Sequence, residues 1–284
     1  MTPPPSPAAG PEASALPADG DLVLVGAGRM GGALLEGWIG LGVDPARIAV
    51  VEPQPGPQVT ALAPRGLRLN PPSGTLAPAA VVLAVKPQTA PEVMPQVTAL
   101  TAPSAVVVSI MAGRTMAFLE DRLPPGSAVV RAMPNTPAAI GRGITVLVAN
   151  SGVTPPQRRL AGTLLAATGA VEWIDDEALM DAVTAVSGSG PAYVFLLAEC
   201  LARAGESAGL PPGLAARLAR ATVAGSGELL HRSPDEAATL RRNVTSPGGT
   251  TAAALEVLMA PEGLDPLIER AVAAAAKRGR ELAG

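Results

Sequence analysis

The chain has 284 residues, 48% of them hydrophobic but only 2% aromatic, so its cores must be built from Ala, Val and Leu. At about 150 residues per domain, that length suggests two domains. A formal charge of −3 gives no footprint for nucleic acid or an anionic membrane. A single cysteine, Cys200, excludes an internal disulfide, and a single histidine, His231, excludes a His/Cys metal cluster.

Residues 1–19 are rich in Pro, Ala and Ser and contain neither Lys nor Arg. They read as a disordered tail rather than a signal peptide. No unbroken apolar run reaches the ~20 residues of a membrane span, so a cytoplasmic protein with no membrane partner is expected. Leu22–Val25 reads as a short strand running into Gly26, Gly28 and Gly31. An amphipathic helix follows to about Ile39, ended by Gly40 and Gly42. Ile48–Val51, Val81–Val85, Ala105–Ile110 and Val129–Ala132 are further strands, apolar on both faces as a helix-covered parallel sheet requires. Ile144–Ala149 and Val171–Ile174 are expected as edge strands, while the Pro-rich stretch 53–78 fits no smooth helix or strand. Residues 177–230 and 250–282 read as helices rich in Ala, Leu and Arg. The alternation predicts an α/β domain over 20–175 and an all-α domain over 176–284.

Gly26-Ala27-Gly28-Arg29-Met30-Gly31 fits G-x-G-x-x-G between a strand and a helix, the context that makes the motif specific. It predicts a Rossmann-type domain whose first glycine permits the turn, whose second admits pyrophosphate, and whose third packs helix on strand. Glu52 closes the second strand, where a carboxylate accepts from ribose hydroxyls; otherwise it simply points to solvent. A carboxylate there repels the 2′-phosphate of NADPH, and residues 53–58 (PQPGPQ) supply no cation, so the reading leans to NADH. Arg29, the one nearby cation, keeps NADPH open.

Val85-Lys86-Pro87, Ile110-Met111-Ala112-Gly113 and Met133-Pro134-Asn135-Thr136-Pro137 each end a strand at the edge where open α/β sheets bind ligands. Lys86 faces cofactor phosphate or ribose, or is a solvated loop lysine. Asn135 offers an amide, or the two prolines around it make only a rigid turn. In Asn243-Val244-Thr245-Ser246-Pro247-Gly248-Gly249-Thr250-Thr251, a Ser-Pro-Gly-Gly turn feeds a helix start. Ala253 and Ala254 stand where a capping box would have Glu or Gln, which leaves backbone donors for a carboxylate. The alternative is an ordinary loop with a Thr cap. His231 reads as a surface helix cap, Cys200 as core, and Tyr193 as core more than site.

With these motifs in order from about Asp21 to about Ala276, together with Arg131–Pro137 (RAMPNTP) and Ser187–Tyr193 (SGSGPAY), the chain closely resembles the pyrroline-5-carboxylate reductases. The resemblance implies NADH- or NADPH-dependent reduction of a cyclic imine acid to L-proline, the last step of proline biosynthesis. It places Asn243, Ser246, Gly249, Thr250 and Thr251 at the substrate. Thr251 is the catalytic residue, hydrogen-bonded to the ring nitrogen, while Ser246 and the Gly249 and Thr250 amides hold the carboxylate. The cofactor falls to Val25, Gly26, Ala27, Gly28, Arg29, Met30, Gly31, Glu52, Ala84, Val85, Lys86, Pro87, Ile110, Met111 and Ala112, with Asn135 added from its own motif. The all-α C-terminal domain is then a dimerisation domain, and the partner is a second copy in a homodimer or higher homo-oligomer. The sequence departs from the family's pattern at Arg29, often Asn, and at Glu52, often a Ser or Thr suited to NADPH.

Chemistry supports the same reaction independently. Reducing a ketone leaves an alkoxide that needs a positioned acid such as His or Lys, and this chain has no good candidate, His231 reading as a surface cap. A protonated imine already carries the charge that draws hydride. A 3-hydroxyacid dehydrogenase is disfavoured because Pro191–Cys200 contains neither Lys nor Asn. Another cyclic-imine reductase and a non-catalytic dinucleotide sensor remain the alternatives, since fold alone does not fix function.

Overall fold

The computed structural model describes residues 20–283; the expected disordered tail, residues 1–19, lies outside the described residues. The chain forms two compact units, one running to Gly188 and including residues from Ala276 onward, the other Ser189–Ala275.

The first unit is built on an eight-stranded sheet of order β3-β2-β1-β4-β5-β6-β7-β8. Its strands are β1 (Asp21–Val25), β2 (Ile48–Val51), β3 (Arg68–Leu69), β4 (Pro78–Leu83), β5 (Val106–Ser109), β6 (Ala128–Met133), β7 (Gly143–Ala149) and β8 (Gly169–Trp173). Helices α1 (Arg29–Gly40), α2 (Pro57–Thr60), α3 (Ala90–Leu100), α4 (Met116–Glu120), α5 (Pro155–Ala166) and α6 (Met180–Val183) accompany it. Strand order reverses at β1, which pairs in parallel with β2 on one side and β4 on the other. Such a switch point leaves a crevice at the carboxyl ends of the strands, where open α/β sheets bind ligands.

Period-two geometry sends alternate residues of each strand to opposite faces, so the mainly apolar strands fill two cores. Leu22, Leu24, Ile48, Val50 and Val82 pack with Leu34, Leu35 and Trp38 of α1 and Leu164 and Leu165 of α5. Val23, Val25, Val81, Leu83 and Val107 pack with Met94 and Val97 of α3 and Leu119 of α4. Trp38 is fully buried, and its Nε1–H donates to Leu164 O at 2.8 Å, so the one polar atom of the largest core side chain is satisfied.

Three features depart from the sequence expectation. β7 runs antiparallel to β6 and is an interior strand, β8 alone forming that edge. The reason is length: a parallel crossover takes a dozen or more residues, and only residues 134–142 separate β6 from β7. The opposite edge is β3, two residues inside the Pro-rich stretch, held where Arg68 meets Asp21 at 2.5 Å. Finally, Val85 and Ile110 lie just beyond β4 and β5, although Ala84 N–H and Ile110 N–H still donate to the neighbouring strands at Val25 O (2.7 Å) and Leu83 O (3.0 Å).

Described on its own, the second unit is helical: α7 (Gly190–Ser207), α8 (Pro212–Arg232), α9 (Ala237–Asn243), α10 (Thr250–Leu258) and the first part of α11 (Leu264–Ala283). α7 and α8 form a hairpin in which a Cβ added at Gly205 would lie 3.2 Å from Ala215 Cβ. Small residues thus allow the close approach. Ala215 and Ala219 are buried there, but large apolar side chains stand open in the single chain. Phe195 is 62% exposed, Leu267 54% and Val257 72%. Cys200, expected in the core, is exposed on the same open helix. Much of the apolar surface of α7 is exposed, Val194–Leu197 included.

Candidate active site

In the nucleotide unit the glycines of the loop do what their spacing implies. Gly26 has φ +91, and a Cβ there would come within 2.7 Å of Ala84 O. A Cβ on Gly31 would sit 2.2 Å from Gly26 O, so helix α1 crosses β1 too closely for a larger residue to fit without rearrangement. Gly28 is the N-cap of α1, with no side-chain cap and no acidic residue in the first turn. The first amides of α1 and the positive end of its dipole are therefore available to an anion such as a pyrophosphate. A cleft of about 270 Å³ adjoins them, lined among others by Ala27, Gly28, Arg29, Glu36, Gly56 and Gln58. The loop and cleft thus fit a dinucleotide.

Glu52 does not simply point to solvent. It is half-buried at the end of β2, where its Oε2 accepts from Ala27 N–H at 2.9 Å and its Oε1 from Gln54 N–H at 3.0 Å. The carboxylate therefore lies on the glycine loop itself. Its own peptide is gripped by Asn70, whose Oδ1 accepts from Glu52 N–H at 2.8 Å while its Nδ2 donates to Glu52 O at 3.0 Å. Arg29 is exposed.

The other strand ends converge on the same edge. Lys86 is exposed, and its carbonyl closes a turn by accepting from Thr89 N–H (3.0 Å) and Thr89 Oγ1 (2.9 Å). Arg114 donates through Nε and Nη2 to Pro87 O at 3.0 and 2.6 Å, tying the loop after β5 to the loop after β4. Ile110 and Met111 are buried and Ala112 exposed, so Ala112 is the residue of that turn which faces outward. Asn135 is half-buried with both ends of its amide engaged: Oδ1 accepts from Ile144 N–H at 2.9 Å, and Nδ2 donates to Ser187 O at 3.2 Å. Ser187 lies in a single π-helical turn, Thr184–Gly188. Below it, buried Arg131 of β6 pairs through Nη1 with Glu177 Oε1 at 2.5 Å, and the same oxygen accepts Met116 N–H at 2.7 Å.

Arg114, Asn70 and the Arg131–Glu177 pair were not singled out from the sequence. Arg131 carried a usable signal, being the one charge within an otherwise apolar strand and therefore in need of a buried partner. Asn70 and Arg114 had no such signal, because their partners are backbone groups brought near only by the fold.

In the helical unit, α9 ends at Asn243 and the chain turns through Ser246–Gly249 into α10. Gly249 N–H donates to Ser246 O at 3.0 Å, and Gly248 has φ +67. This is the geometry of a type II turn, with Pro247 at its second position and glycine where a positive φ is required. Gly249 is the N-cap of α10 and makes no side-chain cap. The cap thus falls on Gly249 rather than on a threonine, and the N3 residue is Ala252 rather than Ala253 or Ala254. Neither shift restores a capping box. The Gly249 amide is spent in closing the turn, so the donors at the open end of the helix are Thr250, Thr251 and Ala252. Thr251 is half-buried; Asn243, Ser246 and Thr250 are exposed in the single chain. His231 is exposed in the last turn of α8, where a basic residue complements the helix dipole.

Residues 177–282 match the sequence family described as pyrroline-5-carboxylate reductase dimerisation. Residues 21–113 match the family described as NADP oxidoreductase, coenzyme F420-dependent. A pyrroline-5-carboxylate reductase of Pseudomonas aeruginosa is 41% identical over 266 residues, which cover 92% of this chain and 96% of that protein. The chain belongs to the pyrroline-5-carboxylate reductase family. A Mycobacterium tuberculosis reductase is 38% identical over 285 residues, again with 92% and 96% coverage. Among solved structures, the Coxiella burnetii pyrroline-5-carboxylate reductase superposes with a TM-score of 0.85 at 35% identity, covering 93% of this chain and 98% of that one. The Plasmodium falciparum pyrroline carboxylate reductase with NADP bound gives 0.77 at 28% identity, with 94% and 99% coverage.

Membership in this reductase family gives the open helical face a meaning. By length and composition, Glu177–Ser207 is apolar enough to cross a membrane. The stretch lies within the residues that match the family's dimerisation model, and large exposed apolar patches generally mark interaction surfaces.

Proposed function

We propose that this chain reduces 1-pyrroline-5-carboxylate to L-proline with a reduced nicotinamide dinucleotide, acting as a homodimer or higher homo-oligomer, and that it prefers NADH. The observation that carries the substrate reading is the turn from Ser246 into α10. Its glycine N-cap and lack of any side-chain cap leave adjacent amides at a helix N-terminus, an arrangement suited to a carboxylate. Family membership supplies the rest.

In this reading Thr250 N–H, Thr251 N–H and the Ser246 hydroxyl hold the substrate carboxylate. Gly249 shapes the turn instead of donating, because its N–H is already committed to Ser246 O. Asn243, at the end of α9, orients the ring, and Thr251 Oγ1 attends its nitrogen. No strong acid is required of the protein, since a protonated imine already bears the charge that attracts hydride. What the residues contribute is orientation, charge placement and exclusion of water.

The cofactor half is read from the nucleotide unit. Val25–Gly31 cradles the pyrophosphate, with Arg29 beside it. Ala84–Pro87 and Ile110–Ala112 form the wall toward the nicotinamide, and Lys86 offers a cation to phosphate or ribose. Bound there, the reduced nicotinamide supplies a hydride to the imine carbon. Asn135, fixed by one backbone bond at each end of its amide, keeps a second N–H for this contact set. The NADH preference rests on Glu52. Its carboxylate, held on the glycine loop, accepts from a ribose 2′-hydroxyl and repels a 2′-phosphate.

The test follows loss of nicotinamide absorbance with pyrroline-5-carboxylate as acceptor, comparing NADH with NADPH. Proline formation with higher kcat/KM for NADH supports both readings. Proline formation favouring NADPH removes the role given to Glu52. Dinucleotide binding without oxidation contradicts the reductase itself.

A further inference from the structure

Asn70 is the one non-glycine residue with positive φ among the described residues, at +48. It also precedes Pro71, a position that disfavours α-type backbone and prefers extended geometry. Asparagine tolerates the left-handed region better than most residues, yet such a conformation persists only where the surroundings hold it. Here the holding contacts fall on two residues of the neighbouring segment, Val50 and Glu52. Asn70 N–H continues the β3–β2 ladder by donating to Val50 O at 2.8 Å. Its side chain then takes over where the ladder stops: Oδ1 receives Glu52 N–H at 2.8 Å and Nδ2 donates to Glu52 O at 3.0 Å. β2 ends at Val51, so the Asn70 amide acts as the missing strand neighbour for the next residue.

We infer that Asn70 is a specificity-determining positioning residue. By gripping the peptide groups of Glu52, it keeps that carboxylate seated at Ala27 N–H, the place from which it sorts a ribose 2′-hydroxyl from a 2′-phosphate. The inference rests on the NADH reading above. Without Asn70, Glu52 stands at an exposed strand end with only its own side-chain bonds to orient it, and the barrier to a 2′-phosphate weakens.

The experiment is a double-mutant cycle in the full-length protein, reading the ratio of kcat/KM for NADH to that for NADPH. The variants are Asn70→Gly, Glu52→Ser and the two combined, with thermal midpoints recorded alongside. Glycine accepts the left-handed backbone, so Asn70→Gly deletes both side-chain bonds with little strain. Asn70→Ser provides a second variant should the glycine one fold poorly. The expected result is a fall in the ratio of about three- to tenfold for Asn70→Gly, the range set by losing one or two exposed hydrogen bonds. A larger fall is expected for Glu52→Ser, with no further fall in the double variant, because Asn70 acts through Glu52. If Glu52→Ser shifts the ratio while neither Asn70 variant does, the inference fails and the NADH reading stands. If the Asn70 effect persists in full on the Glu52→Ser background, Asn70 works by another route and the inference is overturned. If Glu52→Ser leaves the ratio unchanged, the NADH reading falls and the inference with it.

Discussion

The nucleotide unit and the helical unit are drawn from the same Ala-, Val- and Leu-rich alphabet and use it in opposite ways. In the first, apolar residues alternate on strands sandwiched by helices, so nearly every large side chain of β1, β2 and β4 is buried and Trp38 has no exposed surface. In the second, the buried residues among those described are alanines, Ala215 and Ala219, and Phe195, Leu229 and Val257 are more than half exposed. One unit completes its core within the chain. The other leaves apolar surface exposed within the region that matches the family's dimerisation model.

The most forceful way to break this comparison is a matched pair of truncations. Trp38→Ala removes a fully buried ring and its bond to Leu164 O, and should cost about 3–5 kcal/mol of stability. Phe195→Ala removes a ring that the single chain barely covers, and should cost under about 1 kcal/mol of stability in the dissociated chain. Chemical denaturation over a range of protein concentrations checks both, because only the second variant should make the midpoint more sensitive to dilution. Equal losses for the two variants would dissolve the contrast.

A charge on the open face sharpens it further. Phe195→Asp should weaken self-association by about two orders of magnitude or more, since a carboxylate would then be desolvated in an apolar contact. Analytical ultracentrifugation reads the shift to smaller species. An unaltered distribution would place the association surface elsewhere.

Within the proposed site, Thr251→Ala should lower turnover about 10- to 100-fold, the value of one hydrogen bond to a charged or reacting group. Dinucleotide affinity should stay nearly unchanged, because in the proposed site Thr251 attends the substrate nitrogen and the glycine loop holds the dinucleotide. Steady-state kinetics with dinucleotide titration separates the two quantities; an unchanged rate removes Thr251 from the mechanism.

The smallest effect concerns acid stability at the far end of the sheet. Burial alone would raise the Asp21 pKa, but hydrogen bonds from Arg68 and Ala77 N–H, with the charges of Arg68 and Arg47, pull it below its ordinary 3.8. A depressed carboxylate contributes stability that is fully present above the unfolded value and is lost as pH falls through the folded one. Asp21→Asn should therefore be less stable than the parent near neutrality, by about 1 kcal/mol or less. The difference should close only below about pH 4, in acid titrations followed by circular dichroism.

Much of this was legible in the sequence because it was written in local pattern. Leu22–Val25 into Gly26–Gly31 specifies strand, turn and helix within a dozen residues, and Ile48–Val51 is β-branched along nearly its whole length. The type II turn at Ser246–Gly249 is encoded by its Pro-Gly pair. What escaped was set by tertiary neighbours. β3 is two residues long and exists because Asp21 and β2 are beside it. The direction of β7 depends on a connection length, not on its own residues. That Cys200 and Phe195 lie exposed is set by the helix's place at the surface, which hydrophobicity alone does not report. Within the candidate site, the residue types were readable, but their bonding was not. That Glu52 sits on Ala27 N–H and that Asn135 reaches Ser187 are facts of distance between separate segments, and that the Gly249 amide is spent on Ser246 O follows from turn geometry that residue types alone do not report.

The central claim, reduction of a cyclic imine by direct hydride transfer, is tested most directly with isotope. The full-length protein is given pyrroline-5-carboxylate and reduced nicotinamide dinucleotide carrying two deuterium atoms on the reduced ring carbon, and the product is analysed by mass spectrometry and NMR. The account predicts L-proline with a single deuterium at the former imine carbon. Unlabelled proline, or oxidation of the dinucleotide without proline, would contradict it.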